Sequence, residues 1–352
     1  MELIMGRPPK TSNKPSTSTK IDISKLLKNV QASYGKDKGR AGEVSTGNSL
    51  VRPNRDDQFV CWKDSPWERL TQIRGLPFGR ICQIAGRPDS GKSTHAMQFM
   101  RNAQDQGCIV ILWDAENKFS ATRFDKYFGG CSDNLLVVRS KVILEGGDRT
   151  ERFIHEAKKM DPDSKILVVW DSVGGTLAKN EDVTIDAKGN YEGSMSDKKQ
   201  LASAAKENGQ VMRGFVRLME QYKNKNTNDE TISVLLINQT YSNIGSVGQK
   251  ESGGQKVEFY SSIIVQLTRK GDLTFTRDKM KRKKGIVSRA KVSKNHLFDG
   301  EDTIAELELA ITAGGIKLLT DYNILEKKIK YGWEDNDEAD VEVEPPPPNE
   351  HK

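Results

Sequence analysis

Residues Gly86, Arg87, Pro88, Asp89, Ser90, Gly91, Lys92 and Ser93, followed by Thr94, fit the pattern G-x-x-x-x-G-K-[ST]. Each fixed position has a chemical reason. The glycines let successive backbone N–H groups wrap a phosphate chain, and a helix starting at the lysine adds its own partial positive charge. Lys92 is placed to reach the β- and γ-phosphates, and the Ser93 hydroxyl to ligate Mg²⁺. An apolar run precedes the motif and a helical pattern follows it, which is the context that separates a phosphate loop from a chance match. The expected ligand is a nucleoside triphosphate, ATP with Mg²⁺.

Such a loop needs a carboxylate near the metal and a group that orients water. The apolar run 166–170 ends in Asp171-Ser172, which makes Asp171 the expected second metal-side residue beside Ser93. The run 109–113 ends in Asp114-Ala115-Glu116, and Glu116 is the candidate for polarising the attacking water. Both acids also have a plainer reading, as a helix cap and a solvated loop acid.

Six short apolar runs, at 80–85, 108–113, 134–138, 165–170, 231–238 and 262–267, are strand candidates. Between them lie helical patterns at 92–106, 149–160 and 198–223. The last carries Val211, Phe215, Leu218 and Tyr222 on one face. Apolar strands bounded by half-polar helices predict an α/β fold with a mostly parallel sheet covered on both faces. Beyond residue 268 the pattern turns to charged hairpin-like β sequence, then to an apolar strand around 303–312.

Residues 1–20, rich in Pro, Ser, Thr and Lys, have no means of forming a core and are expected to be disordered. Ile23, Leu26, Leu27 and Val30 then form the stripe of a short amphipathic helix. With a polar linker it makes an arm over 21–57, ahead of a core at 58–333. The tail at 334–352 contains eight acids and one base, so the rest of the chain carries +13 against an overall +6. A basic body with an acidic tail reads either as a polyanion binder with an internal competitor or as an enzyme with a solubility tail. The run Lys279-Met-Lys281-Arg282-Lys283-Lys284 is likewise a solvated face or a second polyanion contact, and the latter predicts salt-sensitive binding. No apolar stretch is long enough for a membrane span, and no signal peptide is visible, so a cytoplasmic protein is expected. The four cysteines lack metal-type pairing and read as free thiols.

Taken together these motifs resemble the RecA-type recombinases, in particular their bacteriophage, UvsX-like branch. Glu116 follows Lys92 by 24 residues and sits in the family's Asp-Ala-Glu wording. Val168-Val169-Trp170-Asp171-Ser172 is similar to its metal-side strand. Leu236-Ile237-Asn238-Gln239 is similar to its strand ending in Asn-Gln, and Gly253-Gly254 and the pair Phe259-Tyr260 follow in order. The resemblance covers about 60–320. It implies a P-loop core fold of the RecA type with an added β-hairpin region and a short N-terminal helix.

The resemblance also implies roles. Gln239 would sense the γ-phosphate. The loop 240–254 would bind DNA, with Ile244-Gly245 wedged between bases and Lys250, Gly253 and Gly254 beside it. A first DNA loop would lie at about 181–201, with Lys206 and Arg213 as phosphate contacts on the helix after it. Phe259, Lys294 and His296 would face a neighbouring protomer and complete its ATP site, although His296 stands where the family has a second lysine. Arg123 stands where the family stacks a tyrosine on adenine, with Phe124 beside it as the other candidate to cover the base. The implied activity is that of a DNA-dependent ATPase. It would polymerise into a helical filament on single-stranded DNA, pair it with double-stranded DNA, and work with mediator, loader or single-strand-binding proteins in a bacterial or phage-infected cytoplasm. The alternatives are a hexameric DnaB-type helicase and a non-hydrolysing recombination mediator.

Overall fold

All six apolar runs form strands, and their order in space brings the chemistry-bearing residues to one edge. In the computed structural model the parallel strands are β3 (Ile81–Gly86), β4 (Ile109–Asp114), β5 (Leu135–Val138), β6 (Ile166–Asp171), β9 (Ile232–Ser242) and β11 (Ser261–Arg277). The structure describes residues 55–129, 134–179, 184–185, 191–192, 200–224, 227–242, 249–277, 280–298 and 304–323. The expected helix around Leu26, the acidic tail, Ile244 and Gly245, and most of the first expected DNA loop lie outside those residues.

Chain order also gives β1 (Phe59–Cys61) and β2 (Gly75–Pro77), which pair with each other, and a two-residue ladder of β7 (Thr184–Ile185) with β8 (Tyr191–Glu192). The main sheet continues through β12 (Met280–Asn295), β13 (Glu306–Thr312) and β14 (Gly315–Leu318), and β10 (Gln249–Glu251) hangs on β9. Its spatial order is β14-β13-β12-β11-β3-β9-β6-β4-β5, parallel from β11 to β5 and antiparallel from β11 to β14.

The helices are α1 (Pro66–Thr71), α2 (Lys92–Asp105), α3 (Ala121–Phe128), α4 (Ile143–Met160), α5 (Gln200–Gln221) and α6 (Gln255–Tyr260). The strands' alternation splits the core in two. Val110, Leu112, Leu167, Val169, Leu235 and Ile237 face one side with α2 and Phe124 of α3. Ile111, Trp113, Val168, Trp170, Val234 and Leu236 face the other, under Ile154 of α4 and Phe215 of α5. A sheet buried on both faces is why these strands read as unbroken apolar runs.

Two expectations on boundaries need correction. Helix α4 begins at Ile143 rather than 149, because Gly146-Gly147 reads as a breaker but serves packing. An added Cβ at Gly146 would lie 2.1 Å from the Trp113 ring, so only glycine lets the helix approach that indole. Trp113 in turn stacks on Trp170 at 4.0 Å with planes 10° apart, and its indole N–H donates to the Ser140 carbonyl at 2.8 Å. The second correction concerns 262–267, which is only the first third of β11. The strand runs on to Arg277 and returns as β12 in a long antiparallel hairpin. The charged hairpin expected beyond residue 268 is the outer half of this same strand and its return; only the continuity was missed, since a solvated strand has no apolar run to carry it on.

Candidate nucleotide site

Sheet register sets the site. Gly86 at the end of β3 pairs with Gln239 of β9 and Leu267 of β11, while Asp171 of β6 pairs with Asp114 of β4 and Ile237 of β9. The C-terminal ends of four parallel strands therefore deliver Gly86, Asp171, Gln239 and the loop to Glu116 onto one edge, where α/β sheets bind ligands.

The loop between β3 and α2 has the shape of an anion cradle. Asp89 has a φ of 58° and Gly91 a φ of 93°, and an added Cβ on Gly91 would lie 2.4 Å from Ile311 Cδ1. No side chain caps α2, whose N-cap is Gly91, so its first N–H groups remain for an incoming anion. Ser90 Oγ donates to the Arg87 carbonyl at 2.8 Å, and Ser288 Oγ from β12 donates to the Ser90 carbonyl at 2.8 Å, which braces the loop from behind. Lys92 Nζ donates to the Arg87 carbonyl at 2.7 Å. Burial depresses the Lys92 pKa, opposed by the charges of Asp171 and Glu116.

Ser93 Oγ donates to Asp171 Oδ2 at 2.9 Å, so the two expected metal-side residues meet across 78 positions of sequence. Burial raises the Asp171 pKa to about 6, against the Ser93 hydrogen bond. Glu116 Oε1 accepts from Gln239 Nε2 at 2.9 Å and from Ser172 Oγ, and its Oε2 is ion-paired with Lys118. Burial works to raise the Glu116 pKa. The Lys118 pair and the two hydrogen bonds outweigh it and hold the carboxyl below its ordinary range.

Gln239 also faces the expected DNA loop. Ser252 N–H donates to the Gln239 carbonyl at 2.9 Å, Asn238 Nδ2 donates to the Ser252 carbonyl at 2.9 Å, and Asn208 Nδ2 of α5 donates to the Gly253 carbonyl at 3.3 Å. Gly253 and Gly254 both have positive φ, 89° and 84°. The stem of the loop is thus fastened one peptide away from the cleft. Lys250 pairs with Tyr241 within that stem, and Lys206 and Arg213 are exposed on α5.

The cleft encloses about 760 Å³. Pro88, Asp89, Gly91, Lys92, Ser93 and Thr94 form its floor, with Glu116, Asp171 and Gln239 on one flank. Phe119 and Arg123, and Ile286, Ile311, Thr312 and Ala313 from the β12–β13 side of the sheet, also line it and give it partly apolar walls. The expectation for Phe124 is overturned. It is fully buried, stacked with Phe128 one helical turn on, and its ring lies in the core under the sheet. The i, i+4 pair faces inward on α3, which leaves Arg123 pointing to the cleft. Phe119, half-buried with its ring tilted 55° against that of Phe124 at 5.8 Å, is the aromatic that reaches the wall.

Phe259, Lys294 and His296 stand away from the cleft's lining. Phe259 is 75% exposed, and Lys294 Nζ donates to the carbonyls of Glu258 and Phe259 at 2.7 and 3.2 Å, closing the end of α6. His296 is exposed, its backbone N–H donating to the Ser262 carbonyl.

Sequence reasoning missed Phe119, Ser172, Lys118 and the wall from β12 and β13. Ser172 and Lys118 are each within two residues of a singled-out acid, so a wider reading of those strand ends would have included them. No local signal marks Thr312 or Ala313.

His95, one helical turn inside α2, is buried and its Nδ1–H donates to the Gly91 carbonyl at 3.0 Å. Burial lowers its pKa to about 4 from 6.5, against that hydrogen bond. Its contribution is therefore full above pH 6.5 and is lost as pH falls through 4, which amounts to about 3 kcal/mol. The His95→Asn variant, which retains a donor, should lose that much less stability between pH 7 and 4 in urea titrations. Equal losses in both proteins would show that His95 is not held neutral.

The matches to known proteins agree with this geometry. The RecA N-terminal domain family matches residues 65–315. Proteins named Protein RecA are similar to the chain. The one from Cytophaga hutchinsonii is 31% identical over 232 residues, 64% of this chain and 56% of its own length. The one from a Nitratiruptor species is 30% identical over 286 residues, 79% and 72%. The one from Bdellovibrio bacteriovorus is 27% identical over 328 residues, 87% and 77%. The chain spans about half the length of the first of these relatives. With more than two thirds of its residues in the match, and with the phosphate loop, Asp171, Glu116 and Gln239 on one sheet edge, the chain belongs to the RecA N-terminal domain family.

Proposed function

We propose that this protein is an ATP-dependent DNA recombinase of the UvsX-like branch, which forms a filament on single-stranded DNA and promotes homologous pairing and strand exchange. The observation that carries this reading is Gln239. One end of it donates to Glu116 in the cleft, while its backbone carbonyl holds Ser252 at the stem of the loop 240–254. A residue that touches both the hydrolytic carboxylate and a glycine-rich loop can make nucleotide state and loop order depend on each other.

In this reading the backbone N–H groups of 86–94 cradle the phosphates and Lys92 neutralises their charge. Ser93 and Asp171 are hard oxygen donors already in contact, which suits Mg²⁺. When bound, the ion supplies charge neutralisation on the phosphate oxygens. Glu116 orients water through its free lone pairs, held in place by Ser172 and Gln239. Arg123 and Phe119 cover the base. Phe259, Lys294 and His296 belong to a protomer contact, and the loop with Lys250, Gly253 and Gly254, together with Lys206 and Arg213, belongs to DNA. The expected protomer-packing arm at 21–57 and acidic tail at 334–352 fall almost wholly outside the described residues. No described helix is long and apolar enough to cross a membrane, and the reading places the protein in the cytoplasm.

The test is ATPase activity with and without single-stranded DNA, joined to negative-stain microscopy. DNA-stimulated turnover with helical filaments is the expected result. Closed six-membered rings would favour a replicative helicase, and ATP binding without turnover a mediator.

A further inference from the structure

The phosphate cleft contains a second lysine that its ordinary chemistry leaves unused. Lys118 lines the cleft with Lys92, Asp171 and Glu116 and is ion-paired with Glu116 Oε2. The two partners are held very differently. The Glu116 side chain is 17% exposed, with Ser172 and Gln239 both on Oε1, whereas the Lys118 side chain is 78% exposed. The Lys118 backbone is nevertheless fixed, because the Asp114 carboxylate accepts from its N–H at 3.0 Å and from that of Phe119 at 3.1 Å. A long, exposed cationic side chain is therefore carried on an anchored backbone within an anion site.

The hydrogen-bond inventory shows what that pair does to Glu116. A carboxylate oxygen has two lone-pair directions. Both on Oε1 are taken by Ser172 and Gln239, so Oε2 is left to accept a proton from water, and Lys118 already occupies one of its two lone-pair directions. An ion pair with so exposed a lysine is weakly held. A lysine is a point charge on a flexible stem, well suited to phosphate oxygens. The surrounding charges point the same way: the Lys118 pKa is raised by Glu116 first and then by Asp171 and Asp89, so the ammonium stands among the cleft's acids.

We propose that Lys118 exchanges partners during catalysis, moving from Glu116 to the terminal phosphate of a bound nucleoside triphosphate. The move both frees Glu116 Oε2 for water and adds a positive charge, from the same chain, where negative charge gathers. In the step it serves, the water oxygen bonds to the terminal phosphorus and the bond to the bridging oxygen breaks. The electron pair leaves with the diphosphate, and the water's proton passes to Glu116. Lys118 makes and breaks no covalent bond. The proposal rests on the reading of this cleft as a triphosphate site.

It is tested on the full chain with Mg²⁺ by measuring Kd for ADP and for the β,γ-imido analogue of ATP by calorimetry, with kcat and KM alongside. For Lys118→Met the expected result is a loss of about tenfold in affinity for the triphosphate analogue, with ADP binding unchanged, and a fall in kcat of similar size. Lys118→Arg should restore most of both. Equal changes for the two nucleotides, or a kcat that rises because only a brake on Glu116 was removed, would overturn the proposal. Wild-type protein that binds neither nucleotide would instead overturn the triphosphate reading beneath it.

Discussion

Replacing Lys92 with alanine is expected to abolish measurable ATP turnover while leaving the fold intact. Lys92 is buried in the cleft lining, its ammonium donating to the Arg87 carbonyl, and burial already depresses its pKa. Such a charge is costly to keep unless an anion joins it. Its removal relieves that cost in the free protein and leaves the bound phosphates without their nearest fixed cation. The loss falls on the transition state, where charge spreads over the transferred phosphoryl group. A fall of about 10²–10³-fold or more in kcat/KM is the expected scale for removing one such preorganised group. Unfolding in urea should be unchanged or shifted to slightly higher concentration. If the variant retains wild-type turnover, phosphate is bound elsewhere and the site assignment fails.

The Glu116→Gln variant should separate binding from chemistry. The amide oxygen still accepts from Ser172 and Gln239, so the contacts at Oε1 survive the change. What disappears is the negative charge and the ability to take a proton from water. General-base action is worth about 10²–10⁴-fold in rate. Turnover should drop by that amount, while affinity for the β,γ-imido analogue stays within about threefold of wild type, a difference under 1 kcal/mol. Single-stranded DNA should still bind in the presence of the analogue, since Gln239 retains its partner. Turnover within a few-fold of wild type would show that another group orients the water.

Both variants alter residues that local sequence patterns mark out. The phosphate loop is contiguous in sequence because its job is done by consecutive backbone N–H groups. The strands that carry Asp171, Glu116 and Gln239 are legible because burial on both faces forces unbroken apolar runs. Phe124 shows where this legibility ends. Two adjacent residues, Arg123 and Phe124, are equal candidates for the base on sequence grounds, because the sequence holds no marker of which side of α3 faces the cleft. The orientation depends on Phe128, whose stacking with Phe124 turns both rings into the core. The aromatic that does reach the wall, Phe119, owes its place to a loop folded around the Asp114 carboxylate.

The sequence alone therefore determined the chemistry: a phosphate loop at Lys92, two acids at strand ends, and an α/β core to hold them. Only the tertiary structure decided the partners. It put Ser93 on Asp171, Gln239 and Lys118 on Glu116, and residues 311–313 and Arg123 in the lining of one cleft. The physical reason is that local patterns record what each segment needs to bury or wrap. Which strand lies beside which is set by the packing of the whole sheet, and it is the strand order β3-β9-β6-β4 that turns scattered acids and amides into one site.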